Sequence, residues 1–136
     1  MKLQGKIWKD GKFWLIEVGA IALMTQGKTK KEAFFMIQDA FKELLGDPNI
    51  EVSISDIKGD YFLLSVPYSK EIVGFIAQRA RLNLQLSLRG AADLVGAKSR
   101  NTFAQYEAGS HDPTGSTLFK MLDALQLEVV VRRRAS

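Results

Sequence analysis

Cysteine is absent from the 136-residue chain and histidine occurs once, as His111. The first absence excludes disulfides and thiolate chemistry. The second leaves no imidazole cluster for a transition-metal site, so no metal or other cofactor is expected. Long apolar runs are also missing. With no stretch of 18 apolar residues and no basic-then-apolar leader, the expected location is the cytoplasm, without membrane span or signal peptide. Arginine is missing from half the chain: residues 1–68 hold nine lysines, nine acids and no arginine. Residues 69–136 hold seven arginines, three lysines and six acids, so the whole formal charge of +4 belongs to that half. Arginine suits bidentate recognition of guanine edges and phosphates, which points to nucleic acid as a partner of the second half.

What is present fits a globular chain of one domain or two small ones, 46% hydrophobic. In the first half, "KLQGKIW" and "KFWLIEV" flank Lys9-Asp10-Gly11-Lys12, a strong hairpin signal, and "AIALMTQ" predicts a third strand. Thr29 followed by Glu32 predicts a capping box. Ala33, Ile37, Ala40, Phe41 and Leu44 then recur at helical spacing until Gly46 and Pro48 stop the helix. "IEVSISDI" alternates with period two, Lys58-Gly59-Asp60 turns, and "YFLLSVP" follows. The order is β-β-β-α-β-β, an α+β domain over residues 1–68.

The period changes in the second half, residues 69–136. From Ser69 to Asn83, Ile72, Phe75, Ile76, Arg79 and Ala80 lie at helical spacing. Ser87 caps a predicted helix through Leu94 that Gly96 stops. Ser99 caps another to about Ala108, ended by Gly109, and Ser116 caps Thr117 to Leu125. Short helices joined by a Gly-containing turn are the sequence picture of a helix-turn-helix. The apolar pattern, charge and motifs all change between Pro67 and Glu71, and few contacts are expected to cross that boundary.

The stretch "GAKSRNTFAQYEAG" carries the chemistry. Phe103 and Tyr106, at i and i+3, would anchor the helix, leaving Arg100, Asn101, Ala104 and Gln105 outward. Arginine pairs with guanine O6 and N7, and Asn and Gln with adenine N6 and N7, while Lys98 and the Ser99 backbone can hold phosphate. Ser87 and Thr102 complete the candidate DNA-binding set. The competing reading is a merely solvated polar helix.

Arg81 through Pro113 is similar to the helix-turn-helix of phage-repressor and Xre-type regulators, matching at Leu86, Ser87, Ala92, Gly96, Glu107, Gly109 and Pro113. It departs at Leu88, where that family often has a DNA-contacting glutamine, and in a turn one residue longer after Gly96. The resemblance implies a structural ion pair between Arg81 and Glu107, buried against Phe103. Met24 to Leu45, with the preceding hairpin, looks like the amino-terminal domain of HicB antitoxins, which carries Thr-Gln-Gly-x-Thr-x-x-Glu-Ala. Thr25, Gln26, Gly27, Thr29, Glu32 and Ala33 match it.

Together these resemblances imply a HicB-type antitoxin. Its partial ribonuclease H-like βββαββ domain would bind a HicA-type mRNA-cleaving toxin, and an all-α helix-turn-helix domain would bind operator DNA and repress the operon. The alternative is a stand-alone Xre-type regulator with a ligand- or protein-sensing first domain. RNA binding by the first half is disfavoured by its net charge of zero. An enzyme is not expected, because Asp10, Glu17, Asp56 and Asp60 are scattered over turns and a strand, and His111 reads as a loop residue. "LEVVVRRR", Leu127 to Arg134, predicts a short C-terminal edge strand that pairs with its copy, giving a homodimer or higher homo-oligomer.

Overall fold

The computed structural model describes residues 1–97 and 99–134. Five strands, β1 (Lys2–Asp10), β2 (Phe13–Val18), β3 (Leu23–Gly27), β4 (Ser53–Lys58) and β5 (Tyr61–Ser65), form one antiparallel sheet in the order β3-β2-β1-β5-β4. Helix α1 (Lys30–Leu45) lies between β3 and β4 in the chain. Helices α2 (Lys70–Asn83), α3 (Leu88–Leu94), α4 (Arg100–Glu107) and α5 (Gly115–Ala124) follow. The layout is α+β, as the sequence predicts.

Both hairpins turn over two residues whose first is glycine. Gly11 (φ +60°) lies between paired Asp10 and Phe13, and Gly59 (φ +57°) between paired Lys58 and Tyr61. A two-residue hairpin turn with positive φ at its first central position requires glycine there. The Asp-Gly signal therefore locates the first hairpin, with the turn centred one residue later on Gly11-Lys12. This register sends Leu3, Ile7, Ile16, Val18, Phe62 and Leu64 inward, where Ala33, Ile37 and Phe41 of α1 cover them. Thr29 caps α1 by accepting from the Glu32 N–H at 3.0 Å, and Gly46 ends it at φ +79°.

Helix α2 joins the halves. Ser69 caps it by accepting from the Ile72 N–H at 3.1 Å. Its Ile72, Phe75 and Ile76 enter the sheet core, Phe75 edge-on to Phe41, while Ala77 and Ala80 enter a second core with Ala91, Ala92, Phe103, Met121 and Leu125. Arg79 donates from Nε to the Ile21 carbonyl at 3.0 Å and from Nη2 to that of Ala22 at 3.2 Å. The expectation of few contacts across the boundary is thus overturned: the run Ile72 to Ala77 is buried all round, and a helix apolar on every side is covered on every side.

Three local expectations also change. The predicted third strand starts later, because Gly19–Ile21 form a 3-10 turn that buries Ile21 and leaves Ala22 at φ +49° before β3 begins. Helix α5 is capped by Thr114, which accepts from the Thr117 N–H at 3.2 Å, so Ser116 is the second helical residue rather than the cap. The C-terminal strand is not formed: residues 128–134 have no regular structure and pair with no strand among the described residues. Leu127 packs against both cores, but Val130 and Val131 are 78% and 92% exposed. A strand needs a neighbouring backbone to complete its hydrogen bonds, and one chain supplies none to this segment.

Candidate nucleic-acid interface

Small residues set the geometry of the second half. Ala91 and Ala92 let α3 lie close to α4, and fully buried Phe103 fills the core they share with Ala77 and Ala80 of α2. At Gly74 the crossing of α2 and α4 is closer still. A methyl group there would come within 2.3 Å of the Tyr106 carbonyl oxygen and 2.6 Å of that of Glu107, so only glycine fits. Gly109, at φ +71°, ends α4 where a side chain would meet the Glu71 backbone.

One ion pair locks this arrangement. Arg81 donates from Nε to Glu107 Oε2 at 2.6 Å and from Nη2 to Oε1 at 3.1 Å, while Nη1 donates to the Leu86 carbonyl at 2.7 Å. Both side chains are at least nine-tenths buried. The planar guanidinium therefore ties α2, the segment before α3 and the last turn of α4 together in one bidentate geometry. Glu107 lies one turn after fully buried Phe103 on α4, so the pair closes the helix end that Phe103 anchors.

With α4 pinned by Phe103, Tyr106 and Glu107, its opposite side is open. Asn101 and Gln105, one turn apart, are exposed, with Arg100 exposed beside them and Ala104 and Thr102 half-buried at the flanks. Ser99 is the N-cap residue and is exposed; its hydroxyl makes no capping hydrogen bond, and the Thr102 N–H donates to its carbonyl at 3.2 Å. Among the described residues the hydroxyl and the Arg100 and Asn101 N–H groups therefore stay open to an outside acceptor. Ser87 caps α3 by accepting from the Gly90 N–H at 2.9 Å, so its hydroxyl is engaged in the fold. Lys98 lies outside the described residues. Such an arrangement presents three amide or guanidinium side chains on one exposed helix surface, the kind of element a major groove admits.

Sequence reasoning missed two residues here. Gly74 had a signal, since a glycine inside an apolar helical pattern usually marks close packing. Arg89, exposed in the first turn of α3 and without an ion pair among the described residues, is a further cation beside the Ser87 cap.

The carboxylates lie apart from this surface. Asp10 ends β1, Glu17 lies on β2, Asp56 sits at a bulge in β4 and Asp60 in the following turn. No group of three or more His, Asp or Glu able to hold a metal is found among the described residues. At Asp56, hydrogen bonds from Lys2 and Ser55, with the nearby Arg132 charge, hold the carboxyl below the usual range. His111 is exposed in the loop between α4 and α5. No helix among the described residues is long and apolar enough to cross a membrane.

Residues 78–131 match the helix-turn-helix family. The match begins within α2 and spans α3, α4 and α5, leaving the sheet and α1 outside it. No curated protein matches the chain. Residues 78–131 are thus similar to a helix-turn-helix domain, which supports a DNA-binding, transcription-regulating role for this part of the chain.

Proposed function

We propose that the chain is the antitoxin of a type II toxin–antitoxin pair in the cytoplasm. The first half neutralises a HicA-type mRNA-cleaving ribonuclease, without enzymatic activity of its own, and the helix-turn-helix represses the operon. The observation that carries the first-half reading is the junction of β3 and α1. Thr25, Gln26, Gly27, Thr29, Glu32 and Ala33 form a structural unit there: Thr29 caps the helix, and Gly27 lets the helix start seat on the strand. A methyl group on Gly27 would lie 2.5 Å from the Ala33 amide nitrogen. Gly27 and Thr29 of the HicB-like pattern, with Ala33 buried where the helix meets the strand, thus have a physical reason to be where they are, which supports the resemblance.

The DNA half of the proposal rests on α4. Two copies, held together through the Leu127–Arg134 segments, would set two α4 helices about one helical turn apart on a palindromic operator. Truncation after Gln126 then halves the solution mass, and an unchanged mass would refute the tail as the joint. Co-expression of the chain with the product of the adjacent gene tests the antitoxin reading. The expected result is a stable complex and rescue of growth. Failure of both while the chain still binds DNA favours a stand-alone regulator.

A further inference from the structure

The sheet has one uncovered face. Both α1 and α2 pack on the side that holds Ile7, Ile16 and Phe62, so the side chains that alternate with these point away from every helix among the described residues. An antiparallel sheet with one solvated face normally carries polar residues on it. Here the strand register places Lys6 opposite Glu17 on one side and Tyr61 on the other, Glu17 opposite Met24, Trp8 opposite Leu15, and Gln4 opposite Leu63. Trp8, Leu15, Met24, Tyr61 and Leu63 therefore ring a central Lys6–Glu17 pair. Met24 is 56% exposed and Tyr61 51%. Lys6 Nζ sits 5.5 Å from the centre of the Trp8 ring, and half-buried Glu17 forms no ion pair among the described residues.

We infer that this face binds the same face of a second copy of the chain. An apolar ring around a central cation–anion pair is self-complementary; of the other charges on this face, Lys2 is paired with Asp56, and Lys58 and Asp10 stand at its edges opposite Tyr61 and Phe13. A two-fold axis through the centre sets Lys6 of each copy against Glu17 of the other and buries both rings at once. Nucleic acid is a poorer occupant, because the face balances its charges and the half that carries it has no arginine. The contact is centred on β1 and β2, away from α4; the Leu127–Arg134 segment reaches only its edge, where Arg132 lies 3.5 Å from Asp56. The contact depends on neither the toxin nor the operator reading.

The test is sedimentation of the full-length chain over a range of concentrations. Lys6→Glu makes both central charges acidic, and Glu17→Lys makes both basic. Each variant alone should lose association through this face, halving the mass, with the dissociation constant raised at least about tenfold by like-charge contact. Mixing the two variants should restore association, because an all-acidic face then meets an all-basic one, an effect that repulsion within one chain cannot produce. Met24→Glu, at an exposed position, should also halve the mass with unchanged circular dichroism. The inference is overturned if the wild-type mass survives these substitutions, or if the mixture associates no better than its components. It is likewise overturned if Met24→Glu abolishes capture of the adjacent gene product while leaving the mass unchanged, since the face would then belong to that partner.

Discussion

The two cores of this chain are built from different material. The sheet core is filled by Ile, Leu, Val and Phe, with Ile7, Ile16, Ile37, Phe41, Phe62 and Leu64 all but fully buried, and its stability is spread over many large side chains. The helix-turn-helix core has four alanines around Phe103, Met121 and Leu125, and closes through a buried ion pair and a glycine crossing. Area can be lost gradually, whereas a bidentate pair and a backbone contact are either made or not. The half that positions α4 is thus held by fewer and more specific interactions than the half beneath it.

The largest expected effect is at that ion pair. Glu107→Ala leaves Arg81 buried and uncompensated, and thermal or urea unfolding should show a loss of about 3 to 5 kcal/mol. Asp93→Ala, at an exposed position on α3, should cost a small fraction of that. Equal small losses would mean that the two cores do not differ in the way described. Gly74→Ala comes next. Overpacking against the carbonyls of Tyr106 and Glu107 should cost about 1 to 3 kcal/mol, chiefly in hydrogen-exchange protection of α4 rather than of the sheet.

Substitutions on the open side of α4 sharpen the comparison by leaving stability alone. Arg100→Ala or Gln105→Ala should each cost about 1 to 3 kcal/mol in operator affinity and relax preference at one base pair, read by binding to a panel of single-base variants. Lys98→Ala should weaken binding to all sequences alike and reduce its salt dependence. The smallest effect belongs to Asp56. Its carboxyl is held below its ordinary range in the folded chain by Lys2, Ser55 and Arg132, so its contribution is present above the unfolded value and is lost as pH falls through the folded one. Asp56→Asn should lower the melting temperature slightly at neutral pH and not at all once the wild-type carboxyl is protonated. This surface group is screened by solvent, so a large shift would be unexpected.

Much of this was legible in the residues. The caps at Thr29 and Ser87 stand where hydroxyls precede apolar periodicity, and the two hairpins follow from glycine turns and alternation, whereas the β1–β5 pairing that joins them, Lys2 opposite Ser65, has no local signal. The open side of α4 was readable because Phe103 and Tyr106 define its opposite. What was not legible depends on neighbours distant in sequence. Nothing local says that Ile72, Phe75 and Ile76 belong to the sheet core, although the unbroken run Ile72 to Ala77 signals cover on two sides. At α5, Thr114 and Ser116 are both competent caps, and the earlier one starts the helix. The β-branched triplet Val129 to Val131 has strand propensity, but propensity does not supply a partner backbone.

Separability of the two activities is the point on which the proposed function stands, and one experiment reaches it directly. Full-length Arg100→Ala/Gln105→Ala is expressed with the adjacent gene product in cells carrying a reporter behind the operon's upstream region. The double variant should rescue growth as fully as wild type while repression falls at least about tenfold, as loss of two paired base contacts requires. Growth that fails even with the wild-type chain, or repression untouched by the double variant, would contradict it.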